Sequence, residues 1–318
     1  MTLAVMVTGA SGYLGAKLVR RLARRADLRV VATDLRPPGS ELPRGVVFEP
    51  ADIRDPELRS VLGRHGIGAV AHLAAVVDPS KDRQLAFSVD VGGTENLLQG
   101  CLEHGVRRVV VASSGAAYGY LADHPRWITE DRPLLADQVF AYAWHKRLVE
   151  ERLAELRRQR PELEQVIFRI STILGEGVDN AITQLFERPR LLGLTDGDDR
   201  FVFVWDEDVA ACFERAITVG PPGIFNLAAE GALGLDQLAA RMGKRVRRLP
   251  AGWLTAVLRL AHPLGLLPWG PEQVRFLRYR PVLSNRRLVE DFGYRPEKTS
   301  AEVFELFLEG RARKARGS

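Results

Sequence analysis

Tyr142 and Lys146 stand four residues apart in FAYAWHKRLVEE, residues 140–151. Apolar Leu148 and Leu153 are set among charged Arg147, Glu150, Glu151 and Arg152, a pattern that predicts an amphipathic helix. At i and i+4 the phenol and the ammonium share one helix face. Such a pair can move a proton, because a free tyrosine ionises near pH 10 and a neighbouring cation stabilises the phenolate. Lowering the phenol by about three pH units takes roughly 4 kcal/mol of differential interaction. The same spacing also suits an ordinary surface pair, a half-buried ring beside a solvated amine, so the rest of the chain must decide.

A second cluster is built to bind. VTGASGYLG, residues 7–15, closes one apolar run and opens an amphipathic one. Gly9 permits a tight turn, Gly12 lets the backbone approach a pyrophosphate, and Gly15 lets a helix pack close to a sheet. Ser11, Tyr13 and Leu14 complete the turn and are expected at the cofactor with the glycines. Phosphates would sit at the helix N-terminus, where free N–H groups and the dipole attract anions. Nineteen residues after Gly15 the next apolar run ends in Asp34, followed by Leu35 and Arg36. A carboxylate there accepts both ribose hydroxyls of an adenosine and repels a 2′-phosphate, whereas Arg36 would attract that phosphate. The balance favours NAD over NADP.

The elements that must position these groups follow from the alternation of Val-rich runs with longer charged segments. Strands are expected at 4–9, 29–34, 46–52, 69–75, 107–114, 165–171 and 223–229, and helices at 12–26, 55–64, 83–104 and 140–159. Near-continuous apolar strands separated by helices mean a parallel sheet covered on both faces. With right-handed crossovers this is a doubly wound α/β fold of the Rossmann type. The rhythm breaks after 172. Residues 1–172, with 201–229 returning to them, are therefore read as the dinucleotide-binding domain. Residues 173–200 and 230–318 are read as a second, smaller substrate lobe.

Composition narrows the class. The chain has 318 residues, 46% hydrophobic and 27% charged, as an ordinary globular protein has. Cys101 and Cys212 lie far apart without ligand-like spacing, which excludes a disulfide framework, gives no metal site and fits a reducing cytoplasm. The net charge of +5 comes largely from arginine runs such as RRLARR (20–25) and RVRRL (245–249). These read as solvated helix faces, so no nucleic-acid partner is expected. The most apolar stretch, WLTAVLRLAHPLGLLPW (253–269), is interrupted by Arg259, His262, Pro263 and Pro268. It is a poor membrane span and is expected to line a pocket or join the core, with a segment lying on a membrane surface as the alternative.

Taken in order, the motifs resemble those of the extended short-chain dehydrogenase/reductases of the NAD-dependent epimerase/dehydratase family. The resemblance rests on VTGASGYLG, Asp34, ADIRD (51–55), AVAHLAA (69–75), VDVGGTENLL (89–98), VVVASSGAAYG (109–119), YAWHK (142–146), FRISTILGEG (168–177) and FVWDEDVA (203–210), and so runs over almost the whole chain. It implies that Asp52 and Ile53 flank the adenine, and that Leu73, Ala74 and Ala75 pass beside the phosphates and ribose. It also implies that Tyr142 is the acid/base, that Lys146 binds the nicotinamide ribose, and that Ser114 polarises the substrate oxygen. Ser113 is expected in a structural or cofactor-side role. His72 is expected to be a satisfied core histidine, and His145 to point away from the Tyr/Lys face. A homodimer through the helices near 83–104 and 140–159 is expected from the same resemblance.

Some positions depart from the family pattern. Thr172 stands where many sugar-nucleotide members have Asn, Asp90 stands where Asn usually precedes xxGT, and RPVLSNRRL (280–288) lacks the Gly-Asp pair. Arg200, Arg280, Arg286 and Arg287 remain as candidate phosphate ligands. The leading expectation is thus an NAD-linked oxidoreductase acting on a small molecule, a secondary alcohol or ketone of bulky apolar character. The alternatives are a nucleotide-sugar epimerase or dehydratase with tightly held NAD, and a non-catalytic NAD-binding regulatory protein.

Overall fold

The computed structural model describes residues 2–77, 82–262, 264 and 270–316. Seven strands form one parallel sheet: β1 (Leu3–Thr8), β2 (Leu28–Asp34), β3 (Val47–Pro50), β4 (Ala69–His72), β5 (Arg108–Ser114), β6 (Glu164–Ile170) and β10 (Gly223–Leu227). Their order is β10-β6-β5-β4-β1-β2-β3, so the winding reverses between β1 and β4. A crevice for a ligand opens at the carboxyl ends of the strands beside such a reversal. The seven strands are the seven expected from the apolar runs.

Side-chain alternation divides the core. On β1, Val5 and Val7 face a cluster with Leu18 and Val19 of α1 (Tyr13–Leu22) and Val209 and Phe213 of α7 (Asp206–Thr218). Ala4 and Met6 face the other side, against Leu58 of α2 (Glu57–Arg64), Leu97 of α4 (Thr94–Glu103) and Leu153 of α5 (Ala141–Gln159). Cys212 and Cys101 lie one in each cluster, both buried and both free.

The helix expected over 83–104 is divided. α3 (Arg83–Phe87) passes into a wider π-type turn over Ser88–Gly93, and α4 follows. Gly93 sits where a Cβ would strike Ile53, and Asp90 is carried inward on this turn, 3% exposed.

Beyond β6 the strands are short. β7 (Thr172–Leu174) pairs with β9 (Phe203–Trp205), and β8 (Arg190–Leu194) pairs with β11 (Arg245–Leu249). An aromatic cluster of Phe186, Phe201, Phe203, Phe304 and Phe307 joins α6 (Ala181–Glu187), β9 and α12 (Ser300–Arg316). Three more short helices, α9 (Ala251–Ala261), α10 (Gln273–Arg278) and α11 (Arg286–Glu290), follow β11, while α8 (Leu235–Arg241) precedes it.

Candidate active site

A cavity of about 620 Å³ opens at the carboxyl ends of β1, β2, β4 and β5. Gly9 has φ +69°, and a Cβ there would lie 2.7 Å from the amide nitrogen of Ala74, so only glycine lets β1 turn so close to the chain after β4. A Cβ on Gly15 would strike the Gly9 carbonyl. Gly12 caps α1 with no side-chain hydrogen bond, which leaves the helix N-terminus to an anion. Every residue expected at the cofactor lines this cavity except Ser11. Ser11 works one step back: its N–H donates to Asp34 Oδ2 at 3.0 Å, and its hydroxyl donates to the Arg36 carbonyl at 2.7 Å. Asp34 Oδ1 accepts the N–H of Arg36 at 3.2 Å. Asp52 is engaged by Arg54 at 2.9 Å, and burial of its partner-bound carboxylate is outweighed, so its pKa falls below the usual range through that bond. Tyr13 lines the cavity but turns its hydroxyl away, toward Asp206 and the Glu176 carbonyl.

Ser114, Tyr142 and Lys146 meet at the other end of the same cavity. Ser114 ends β5, and Tyr142 and Lys146 lie on the first turns of α5, which packs over that strand end. Lys146 Nζ donates to the Ala112 carbonyl at 2.7 Å and stands 5.7 Å from the Tyr142 ring centroid. Burial pushes Tyr142 up to about 12; a hydrogen bond with Ser114 opposes the rise, and the charge of Asp90 adds to it. Burial draws the Lys146 ammonium down as well, against the opposite pull of Asp90 and Glu150. The protein by itself therefore holds Tyr142 as a neutral acid.

Two buried carboxylates beneath the pair escaped the sequence reading. Glu150 accepts Arg169 through both oxygens, Oε1 at 3.1 Å and Oε2 at 2.8 Å, and also accepts the Ser113 hydroxyl, which gives Ser113 a structural bond. Glu150 lies at i+4 from Lys146, a spacing that could have flagged it. Asp90 meets His145 Nδ1 at 2.8 Å and accepts the Val76 N–H at 2.7 Å. His145 does point away from the Tyr/Lys face, into this pair. His72 is satisfied on both nitrogens, by Thr8 at 2.8 Å and Thr94 at 2.9 Å, and burial draws it down to about 3.

The four candidate phosphate ligands sort by their partners. Arg200 is held by Asp198 at 2.8 Å, Arg286 stands 3.8 Å from Glu290, and Arg287 stands 3.2 Å from Asp291. Arg280 has no ion pair among the described residues. It lies 4.1 Å over the ring of Phe201 and 5.2 Å over that of Phe276, and its enclosed Nε has no hydrogen-bond partner. Desolvation pulls it down to about 10, with Tyr120, Asp199 and Asp198 as its nearest electrostatic support. Tyr120 stacks edge-on against Phe140 and Phe276, and burial raises its phenol, with Tyr142 adding to the rise. Tyr120 thus lies within electrostatic reach of both Tyr142 and Arg280. None of the described residues of 247–269 lines this cavity. Residues 263 and 265–269 of that run lie outside the described residues.

Comparison with known proteins adds five findings. The model of the NAD dependent epimerase/dehydratase family matches residues 5–228. An uncharacterised protein of Mycobacterium tuberculosis is 29% identical over 316 residues, covering 96% of this chain and 84% of its own. Short-chain dehydrogenase/reductase family 42E member 1 of Danio rerio is 35% identical over 111 residues, 34% of this chain and 28% of its own. Among solved structures, a Thermus thermophilus UDP-glucose 4-epimerase in complex with NAD is 25% identical, with a TM-score of 0.74 over 97% of this chain and 98% of its own. A Thermotoga maritima UDP-glucose 4-epimerase with UDP-glucose shares the fold at 19% identity, with a TM-score of 0.77 over 98% of this chain and 100% of its own.

Proposed function

The chain belongs to the NAD dependent epimerase/dehydratase family, and from that premise we propose that it oxidises and re-reduces one secondary alcohol of a nucleotide-activated sugar. NAD, when bound, supplies the hydride acceptor and donor. The glycine turn and the N-terminus of α1 would hold its pyrophosphate, and Asp34 its adenosine ribose. Ser114 donates a hydrogen bond to the substrate oxygen. Tyr142 exchanges the proton of that oxygen, and Lys146 sets the charge around the exchange.

Arg280 carries the choice of substrate class. A cation enclosed by aromatic rings and lacking an acidic partner is costly unless a ligand brings the anion. Tyr120, which feels both Tyr142 and Arg280, links this cation to the reacting end of the cavity, as a sugar bearing a diphosphate would need. The UDP-glucose 4-epimerase likeness, 25% identical over nearly the whole chain, supports the same reading.

The test is incubation with UDP-sugars, with chromatography for an epimer or a keto product while nicotinamide absorbance is followed. Product without net change in absorbance is expected. Arg280→Met should raise KM for the nucleotide sugar roughly 30-fold or more, the usual cost of stripping a buried charged contact. Thermal protection by UDP should fall with it. The aromatic wall of Tyr120, Phe140 and Phe276, with Thr172 in place of Asn, favours a second reading, a net dehydrogenase for a bulky apolar alcohol. Steady accumulation of reduced nicotinamide with such alcohols, and no protection by UDP, would move that reading to first place.

A further inference from the structure

Helix α9 is apolar on the side it buries and on the side it shows. Ala251, Leu254 and Leu258 pack inward against Leu194, Val274 and Leu277. The opposite face carries Trp253 and Leu260, 55% and 74% exposed, and Leu264 just beyond the helix is 72% exposed. The spacing 253, 256, 260 places Trp253, Ala256 and Leu260 on one stripe. A helix apolar all round is normally buried, so an exposed one marks an interaction surface. At 11 residues α9 is about 16 Å long, too short to cross a bilayer.

The chain leading into and through this face is basic. Between Gln237 and Pro271 there are six Lys and Arg residues and no Asp or Glu. Arg241 and Arg248 are neutralised by Glu305, at 2.8 Å, and by Asp199 and Asp236, at 2.9 and 2.6 Å. Arg245, Arg247 and Arg259 have no ion pair among the described residues. β11, which carries the first two and exposes them, leads directly into α9. An apolar stripe with an exposed tryptophan and a rim of unpaired arginines is chemistry matched to a bilayer surface. The indole sits at the headgroup level, and the cations meet acidic lipid. A second copy of this chain would have to present acidic residues to such a face, and the face itself has none.

We propose that α9 docks this enzyme on anionic lipid membranes, lying in the plane of the interface with Trp253 and Leu260 inserted and Arg245, Arg247 and Arg259 at the headgroups. The test is flotation of the full chain with phosphatidylcholine vesicles, alone or with phosphatidylserine added. Binding to the acidic vesicles only is expected. A Trp253→Ser, Leu260→Ser double variant should reduce partitioning about tenfold or more. Arg259→Gln should reduce it roughly fivefold at low salt. Neither substitution touches the cavity, so the melting temperature and NAD binding should be unchanged. Absence of binding to acidic vesicles would overturn the proposal. So would binding that salt abolishes but the double variant leaves intact, since that is adhesion of arginines alone. If the double variant instead halves the molecular mass in solution while vesicles never bind, the face belongs to a second copy.

Discussion

Tyr142→Phe separates chemistry from architecture. The change keeps the ring against α5 and removes one hydroxyl and its proton. With the phenol pushed up to about 12, its anionic fraction near pH 8 is on the order of one in ten thousand. Bringing it to neutrality would take about 7 kcal/mol of differential stabilisation, five units at about 1.4 kcal/mol each. Lys146 stands 5.7 Å from the ring and is committed to the Ala112 carbonyl, so it cannot supply all of that. The remainder must come from substrate and nicotinamide in the ternary complex. Turnover of Tyr142→Phe should therefore fall by about two to four orders of magnitude, the range for a positioned acid/base group, with NAD affinity unchanged. Ultraviolet titration supplies an independent readout. The wild type should lose one tyrosine ionisation near pH 12 on mutation, and the same transition should move to lower pH when NAD is added. Lys146→Ala should shift the rising limb of the pH–rate profile upward and weaken NAD as well. A Tyr142→Phe enzyme that keeps more than about a tenth of its turnover across pH would refute the proton-transfer role.

Asp34→Asn keeps the acceptor for Ser11 while removing the charge. NADP affinity should rise at least about tenfold and NAD affinity change little, as read by fluorescence titration; tighter NADP than NAD binding by the wild type would show that Arg36 governs the site. Leu85 and Phe87 remain 45% and 38% exposed beside α5, with Phe87 5.6 Å from Trp144, a patch suited to a homodimer across α3 and α5. Light scattering should give twice 35.3 kDa, and Phe87→Asp should halve it. His72 is held neutral, with its pKa drawn from 6.5 to about 3, so its contribution to stability is complete above pH 6.5 and is lost as pH falls toward 3. Denaturant midpoints over that window should drop with a slope near 1.4 kcal/mol per pH unit, and His72→Gln should flatten it.

The sheet was legible because its strands are buried on both faces. AVMVT, RVVATD and RRVVVASS leave little room for another reading, and each ends at a residue that reaches the cavity. The second lobe was not. β7 and β9 are three residues long, β8 and β11 are five, and each pair joins segments tens of residues apart, so no local period announces them. The arginines were partly legible in hindsight. Arg200 has an acid two residues away, and Arg286 and Arg287 each have one at i+4, whereas Arg280 has none in that reach. Local pairing marks a charge as already satisfied, and its absence marks the one left for a ligand. The apolar run was half legible for a related reason. Composition reports that α9 avoids water, and only packing reveals that its inner face is filled by α10 and β8 while its outer face is not.

Asp90 shows why a departure from a family pattern can be chemistry. An Asn at this place would donate and accept without charge. Asp90 instead brings a carboxylate into the interior, where an isolated charge is expensive. It is tolerated because His145 and the Val76 N–H occupy its two oxygens. Glu150, the other acid near Lys146, also faces Arg169. Among the described residues Asp90 has no such guanidinium, and with Glu150 it opposes the desolvation that draws the buried ammonium down. The same field works against the Tyr142 phenolate. The one carboxylate thus acts on both members of the pair in opposite senses, supporting the Lys146 ammonium and opposing the Tyr142 phenolate.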